Sequence, residues 1–206
     1  MKKIFLVFAA VAMTAGVMSA QDINQATEAY NNGAMELQMG NNAAAVENFK
    51  TALTMGEALG DEGADLVANC KKAISSAYLS MAKDLYNAKD FDGAVTAFQQ
   101  AKEVAEGYGE AEIAAEAGEL IGQTEMLKYN TAGKEAMKAK DYPTAIANFS
   151  KVLEMDPANG GVAIQLGQAY MRAGQLDESI AALETAKANG EEENAAKLLS
   201  NIYLKK

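Results

Sequence analysis

The sequence predicts an all-α array of paired helices, and three observations predict it. Good helix formers dominate the chain, and proline occurs only at Pro143 and Pro157, so long helices run uninterrupted. A small residue followed four positions later by a large apolar one recurs four times: Ala45 and Phe49, Ala94 and Phe98, Ala145 and Phe149, Ser179 and Leu183. Upstream of each small residue stands a second small-residue pair: Asn32-Gly33, Met81-Ala82, Ala132-Gly133 and Leu166-Gly167.

The first element is separate from this array. Lys2 and Lys3 precede an uncharged apolar run over residues 4–17, and Met18-Ser19-Ala20 ends in a small residue. That pattern is a secretory signal over residues 1–20, cut after Ala20. The run is short for a spanning helix, and no other stretch is apolar enough to cross a bilayer. No stable membrane insertion is expected once the signal is removed. The expected compartment is the periplasm of a Gram-negative bacterium, or the medium. The single cysteine, Cys70, leaves no acceptor for a lipid near the cleavage point and no partner for an internal disulfide.

Each recurring unit reads as helix–turn–helix. The four-residue spacing from small to large residue, with Ala52, Ala101, Val152 and Ala186 three positions further on, draws one face of a second helix. The upstream pairs mark a first helix that this face approaches closely. Gly40 and Gly174 fall at the turn between the two helices, and Pro143 suits the start of a second helix. The units begin near residues 26, 75, 126 and 160. The first two intervals carry 15 and 17 residues beyond the last one, and this excess keeps helical periodicity through Leu66, Cys70, Ile74, Tyr78, Met81 and Leu85, and through Ile113, Ala117, Leu120, Thr124 and Leu127. Lengthened helices are therefore expected, turning near residues 60–63 and 107–109. Residues 191–204 read as a final helix without a partner, with Glu191, Glu192 and Glu193 at its positive end.

The pattern resembles the tetratricopeptide repeat (TPR), a 34-residue unit with an apolar–Gly pair, an Ala, an aromatic four later and a closing Pro. Residues 126–159 carry Tyr129, Ala132-Gly133, Ala145, Phe149 and Pro157 at those positions, and residues 160–193 follow in the same register with Leu166-Gly167 and Tyr170. The resemblance implies a right-handed α-solenoid over residues 21–206, with units near 26–59, 75–108, 126–159 and 160–193 and a capping helix at 191–204. It also implies a groove lined by the first helices. Carried over residue by residue, the lining is Tyr30 and Leu37; Leu79, Lys83, Tyr86 and Asn87; Leu127, Asn130, Lys134, Met137 and Lys138; then Ile164, Gln168, Met171 and Arg172. The set holds four cations and no carboxylate in a chain that has 16 basic against 28 acidic residues once Lys2 and Lys3 are removed. It implies a mixed basic and apolar groove for a protein or peptide of acidic character. The clamp that grips chaperone C-termini in this family needs a Lys and Asn set, and Tyr30 and Ala34 stand there instead.

Chemistry is not expected. The chain has no His, so the commonest general base and metal ligand is missing, and one Cys makes no zinc set. No phosphate-cradling loop is present, and Asp61-Glu62-Gly63-Ala64-Asp65 has too few ligands for calcium. Carboxylate pairs such as Glu112 and Glu116 read as a solvated helix face. The acidic balance opposes nucleic acid. The reading is a scaffold with no cofactor, with a self-assembling solenoid of the cell envelope as the alternative.

Overall fold

The computed structural model describes residues 20–204; the signal expected over residues 1–20 lies, but for Ala20, outside the described residues, as do Lys205 and Lys206. The described chain contains nine α-helices, one 3-10 turn and no strand. The helices are α1 (Ala20–Gln38), α2 (Asn42–Ala58), α3 (Ala64–Asn87), α4 (Phe91–Tyr108), α5 (Ala111–Ala139), α6 (Tyr142–Met155), α7 (Gly160–Arg172), α8 (Leu176–Ala188) and α9 (Glu192–Tyr203). The 3-10 turn, Gly60–Gly63, separates α2 from α3. The chain divides into two compact units, Met1–Ala73 and Ile74–Lys206, and the division falls inside α3.

One contact builds every helix pair. A side chain on Gly33 would place its Cβ 2.7 Å from the Phe49 ring; on Gly133, 2.6 Å from Phe149; on Gly167, 2.7 Å from Leu183. The small residue and the large one are sixteen positions apart each time, and Ala82 and Phe98 repeat that spacing. Phe49, Phe98, Phe149 and Leu183 are fully buried, as are Ala45, Ala94, Ala145 and Ser179. Burying one such large side chain stabilises the fold by about 1.5–3 kcal/mol. Only glycine or alanine lets a ring lie directly on the facing backbone. Where Ser replaces Ala, its buried hydroxyl needs an acceptor, and Ser179 Oγ donates to the Gly167 carbonyl at 2.7 Å.

Within the first unit, α1 and α2 close on Ala26, Ala45, Val46, Phe49, Ala52 and Leu53. The Tyr30 ring tilts against Phe49 at 5.3 Å. The far end of α2 meets the 3-10 turn so tightly that a Cβ on Gly63 would fall 2.0 Å from the Gly56 carbonyl oxygen. Cys70 is fully buried on α3, and desolvation pushes its thiol up to about 11. It is a protonated core residue at neutral pH.

The second unit has three successive cores. Leu79 and Ala82 of α3, Ala94, Phe98 and Ala101 of α4, and Ala117 of α5 form the first. Ala136 of α5, Phe149 and Val152 of α6, and Val162 and Leu166 of α7 form the next. Leu183 and Ala186 of α8, with Leu199 and Ile202 of α9, form the last. The expected lengthening of helices is present: α3 has 24 residues and α5 has 29, against 13 for α7. Gly107 lies inside α4, and the left-handed turn that ends α4 is at Gly109.

The turn between paired helices is the same structure four times. Gly40, Lys89, Lys140 and Gly174 take φ of 79°, 63°, 62° and 80°. Each N–H bonds back to the carbonyl three residues earlier, and the next N–H reaches the carbonyl five residues earlier, as Lys140 does to Met137 and Asp141 to Ala136. This closes the first helix with a Schellman motif. Glycine adopts the left-handed region freely, whereas a lysine there costs about 1 kcal/mol. The second helix then starts at once. Asp90 accepts from the Gly93 N–H and Asp141 from the Thr144 N–H, each as an N-cap. The Thr144 hydrogen bonds hold the Asp141 carboxyl below its ordinary 3.8.

Candidate functional site

First-helix faces carry the residues expected to line a groove, and the structure sorts them into three kinds. Tyr30 and Leu37 in the first unit, and Tyr86, Leu127, Met137, Ile164 and Met171 in the second, are half-buried with part of each side chain open. Asn87, Lys134, Lys138 and Arg172 are exposed. Leu79 is different: only 5 % of it is exposed, and it belongs to the α3–α5 core. The extension of α5 accounts for this, since Ala117, Ile113, Leu120 and Ile121 pack where a standard unit has no helix. Leu79 holds the fold and does not face a guest.

The cations also divide. Lys83 Nζ lies 2.6 Å from Glu116 Oε1 on the α5 extension. The basic set is therefore not free of carboxylate, because α5 is long enough to bring one alongside. Lys134, Lys138 and Arg172 form no ion pair among the described residues. Lys128 is paired with Asp92 of α4, whose hydrogen bond raises the lysine's pKa, and its Nζ sits 5.6 Å from the centre of the Tyr129 ring.

The amide groups add one observation. Asn130 is half-buried, and its Oδ1 is shielded from water with no hydrogen-bond partner among the described residues. Gln165 Oε1 on α7 is in the same condition. An unsatisfied buried acceptor costs about 1–3 kcal/mol, so both would gain from an N–H supplied by a guest. On α5, Asn130, Lys134 and Lys138 are four residues apart and share one stripe.

A depression of about 390 Å³ opens where the end of α3 meets the start of α4 and the middle of α5, lined by Tyr86, Asn87, Lys89, Phe91, Leu127 and Thr131. Tyr86, Asn87 and Leu127 were expected on a binding face. Lys89, Phe91 and Thr131 were not. The signal for Lys89 was available: it stands seven residues after Ala82, as Gly40 stands after Gly33 and Gly174 after Gly167. The Tyr86 and Phe91 rings meet edge to face at 6.1 Å and 63°. No cluster of three or more metal-ligating side chains occurs among the described residues. None of their helices is long and apolar enough to cross a membrane.

The family model of the tetratricopeptide repeat matches residues 136–202, from the end of α5 into α9. No curated protein matches the chain. Among solved structures, it is similar to the C-terminal TPR-containing domain of a Plasmodium falciparum protein, at 21% identity and a TM-score of 0.40, covering 67% of this chain and 91% of that one. It is similar to the P58(IPK) TPR domain at 20% identity and a TM-score of 0.38, covering 89% of this chain and 55% of that one. MamA from Desulfovibrio magneticus RS-1 stands at 18% identity and 0.28, over 87% and 94%. The described residues form an all-α array of helix pairs, and those over residues 136–202 match the tetratricopeptide repeat, which generally mediates protein–protein interaction.

Proposed function

We propose that this chain is a non-catalytic scaffold that takes an acidic peptide or protein segment along the face formed by the first helices of the unit Ile74–Lys206. One observation carries the reading. Lys134, Lys138 and Arg172 stay free of ion pairs among the described residues, although the chain has a formal charge of −10. Half-buried Leu127 and Met137 share α5 with the two lysines, and Ile164 and Met171 share α7 with Arg172. Cations on this face would steer an acidic guest, and the apolar side chains with the Asn130 acceptor would hold it. Export to the periplasm belongs to the same reading, on the strength of the run from Lys2 to Ala20.

The test is crosslinking in the native envelope with the double variant Lys134→Glu and Lys138→Glu beside the parent chain. Loss of the captured segment, with an unchanged circular dichroism spectrum, supports the face. Undiminished capture rejects it. Fractionation of the host cell tests the compartment, and recovery of the chain in the cytosol would reject export.

A second reading, self-assembly, is favoured by Tyr203 and Leu204, which are 58% and 86% exposed at the end of α9. Light scattering across a concentration series separates the two. A mass that rises with concentration, and stops rising in Leu204→Asp, favours assembly.

A further inference from the structure

We infer that the depression between α3, α4 and α5 is a specificity subsite for an aromatic or branched apolar side chain lying next to a carboxylate. The inference rests on the peptide-binding reading above and adds what the guest must present. The volume of about 390 Å³ lies inside the range of ligand pockets, about 300–1,000 Å³, so it has room for a large side chain. Tyr86, Phe91 and Leu127 give it an apolar wall. The two rings, already edge to face, leave a position for a third aromatic or a branched group.

Charge complementarity chooses the neighbour of that side chain. Lys89 is the one charged residue of the lining, and it forms no ion pair among the described residues. The nearest carboxylates in sequence are occupied: Asp90 caps α4 at the Gly93 N–H, and Asp92 is held by Lys128. A carboxylate on the guest is what Lys89 lacks.

Backbone conformation supplies a control for the same assignment. At the equivalent turn the chain uses Gly40 and Gly174, which suffer no strain. Lysine at φ 63° does suffer it. Lys140 has the same strain at φ 62° and does not line the depression, which makes it a control for the backbone effect.

The experiment pans the intact chain against random dodecapeptides displayed on phage, then measures the affinity of the most enriched peptide for variants. Expected are peptides with an aromatic or branched residue beside Asp or Glu. Lys89→Gly should weaken binding about two- to fivefold, as removal of one exposed ion pair does, while raising Tm. Lys140→Gly should raise Tm and leave binding unchanged. Thr131→Glu, which puts a carboxylate in the wall, should weaken binding more than about tenfold, and Thr131→Gln should not. Peptides without the acidic neighbour, or binding indifferent to both Lys89→Gly and Thr131→Glu, would overturn the subsite and leave peptide binding standing. No enriched peptide at all would overturn both.

Discussion

The stretch from α3 to α5 and the stretch from α6 to α9 share one contact and surround it differently. In both, a small residue meets a large one sixteen positions later: Ala82 with Phe98, and Gly167 with Leu183. The later stretch uses short helices, and only 18 residues separate Phe149 from Gly167. In the earlier stretch the matching interval, Phe98 to Gly133, is 35 residues, and the excess is taken up in α4 and α5. The close approach inside a pair is thus fixed, and the length between pairs is free. Where the helices are short, backbone proximity does the holding. Where they are long, α5 adds a core of its own around Ala117 and two bridging ion pairs, Lys83 to Glu116 and Lys128 to Asp92.

The largest effect should come from removing the shared contact itself. Phe149→Ala should destabilise its helix pair by about 3–5 kcal/mol, seen as lost amide-exchange protection in α6. Phe98→Ala, braced by the α5 extension, should leave more residual protection in α4 than Leu183→Ala leaves in α8, whose partner α7 is short; equal losses would break the comparison. Next come the opposed swaps at the close-approach position. Gly133→Ala forces the Phe149 ring aside and should cost about 1–3 kcal/mol in thermal unfolding. Ala82→Gly should cost only about 0.5–1 kcal/mol, the difference in helix propensity. Smaller again, Lys140→Gly should raise stability by up to about 1 kcal/mol, read as a higher Tm.

The smallest effect concerns acid. The Asp141 carboxyl is held below 3.8 by the Thr144 hydrogen bonds, so the unfolded chain binds its proton first as pH falls. Its stabilisation is complete above 3.8 and is lost as pH drops through the lower folded value. A stability curve followed down from pH 5 should flatten in Asp141→Asn, which keeps a cap without titrating.

The sequence exposed the fold because each helix pair is encoded locally. Gly33, Gly133 and Gly167, with their large partners, lie within one turn-connected segment, and helical periodicity links them. Leu79 could not be placed the same way. Its burial depends on how far α5 extends past α3, and that is a contact between elements far apart in sequence. The partner of Lys83 is hidden for the same reason, since Glu116 lies thirty-three residues on. Lysine, unlike the glycine at Gly40 and Gly174, does not by itself mark a left-handed backbone; at Lys89 and Lys140 only the seven-residue spacing from Ala82 and Gly133 points to the turn. Phe91 and Thr131 escaped notice because the depression belongs to three helices, and no one of them marks it.

The interior position of Cys70 makes the chain a convenient host for an optical reporter. Its thiol is sealed from solvent and stays protonated far above the pH of maleimide labelling, so the native protein offers that reagent almost nothing. A single cysteine introduced at Asn87, on the exposed rim of the depression, would carry one dye per molecule, and its emission would register each arrival and departure directly.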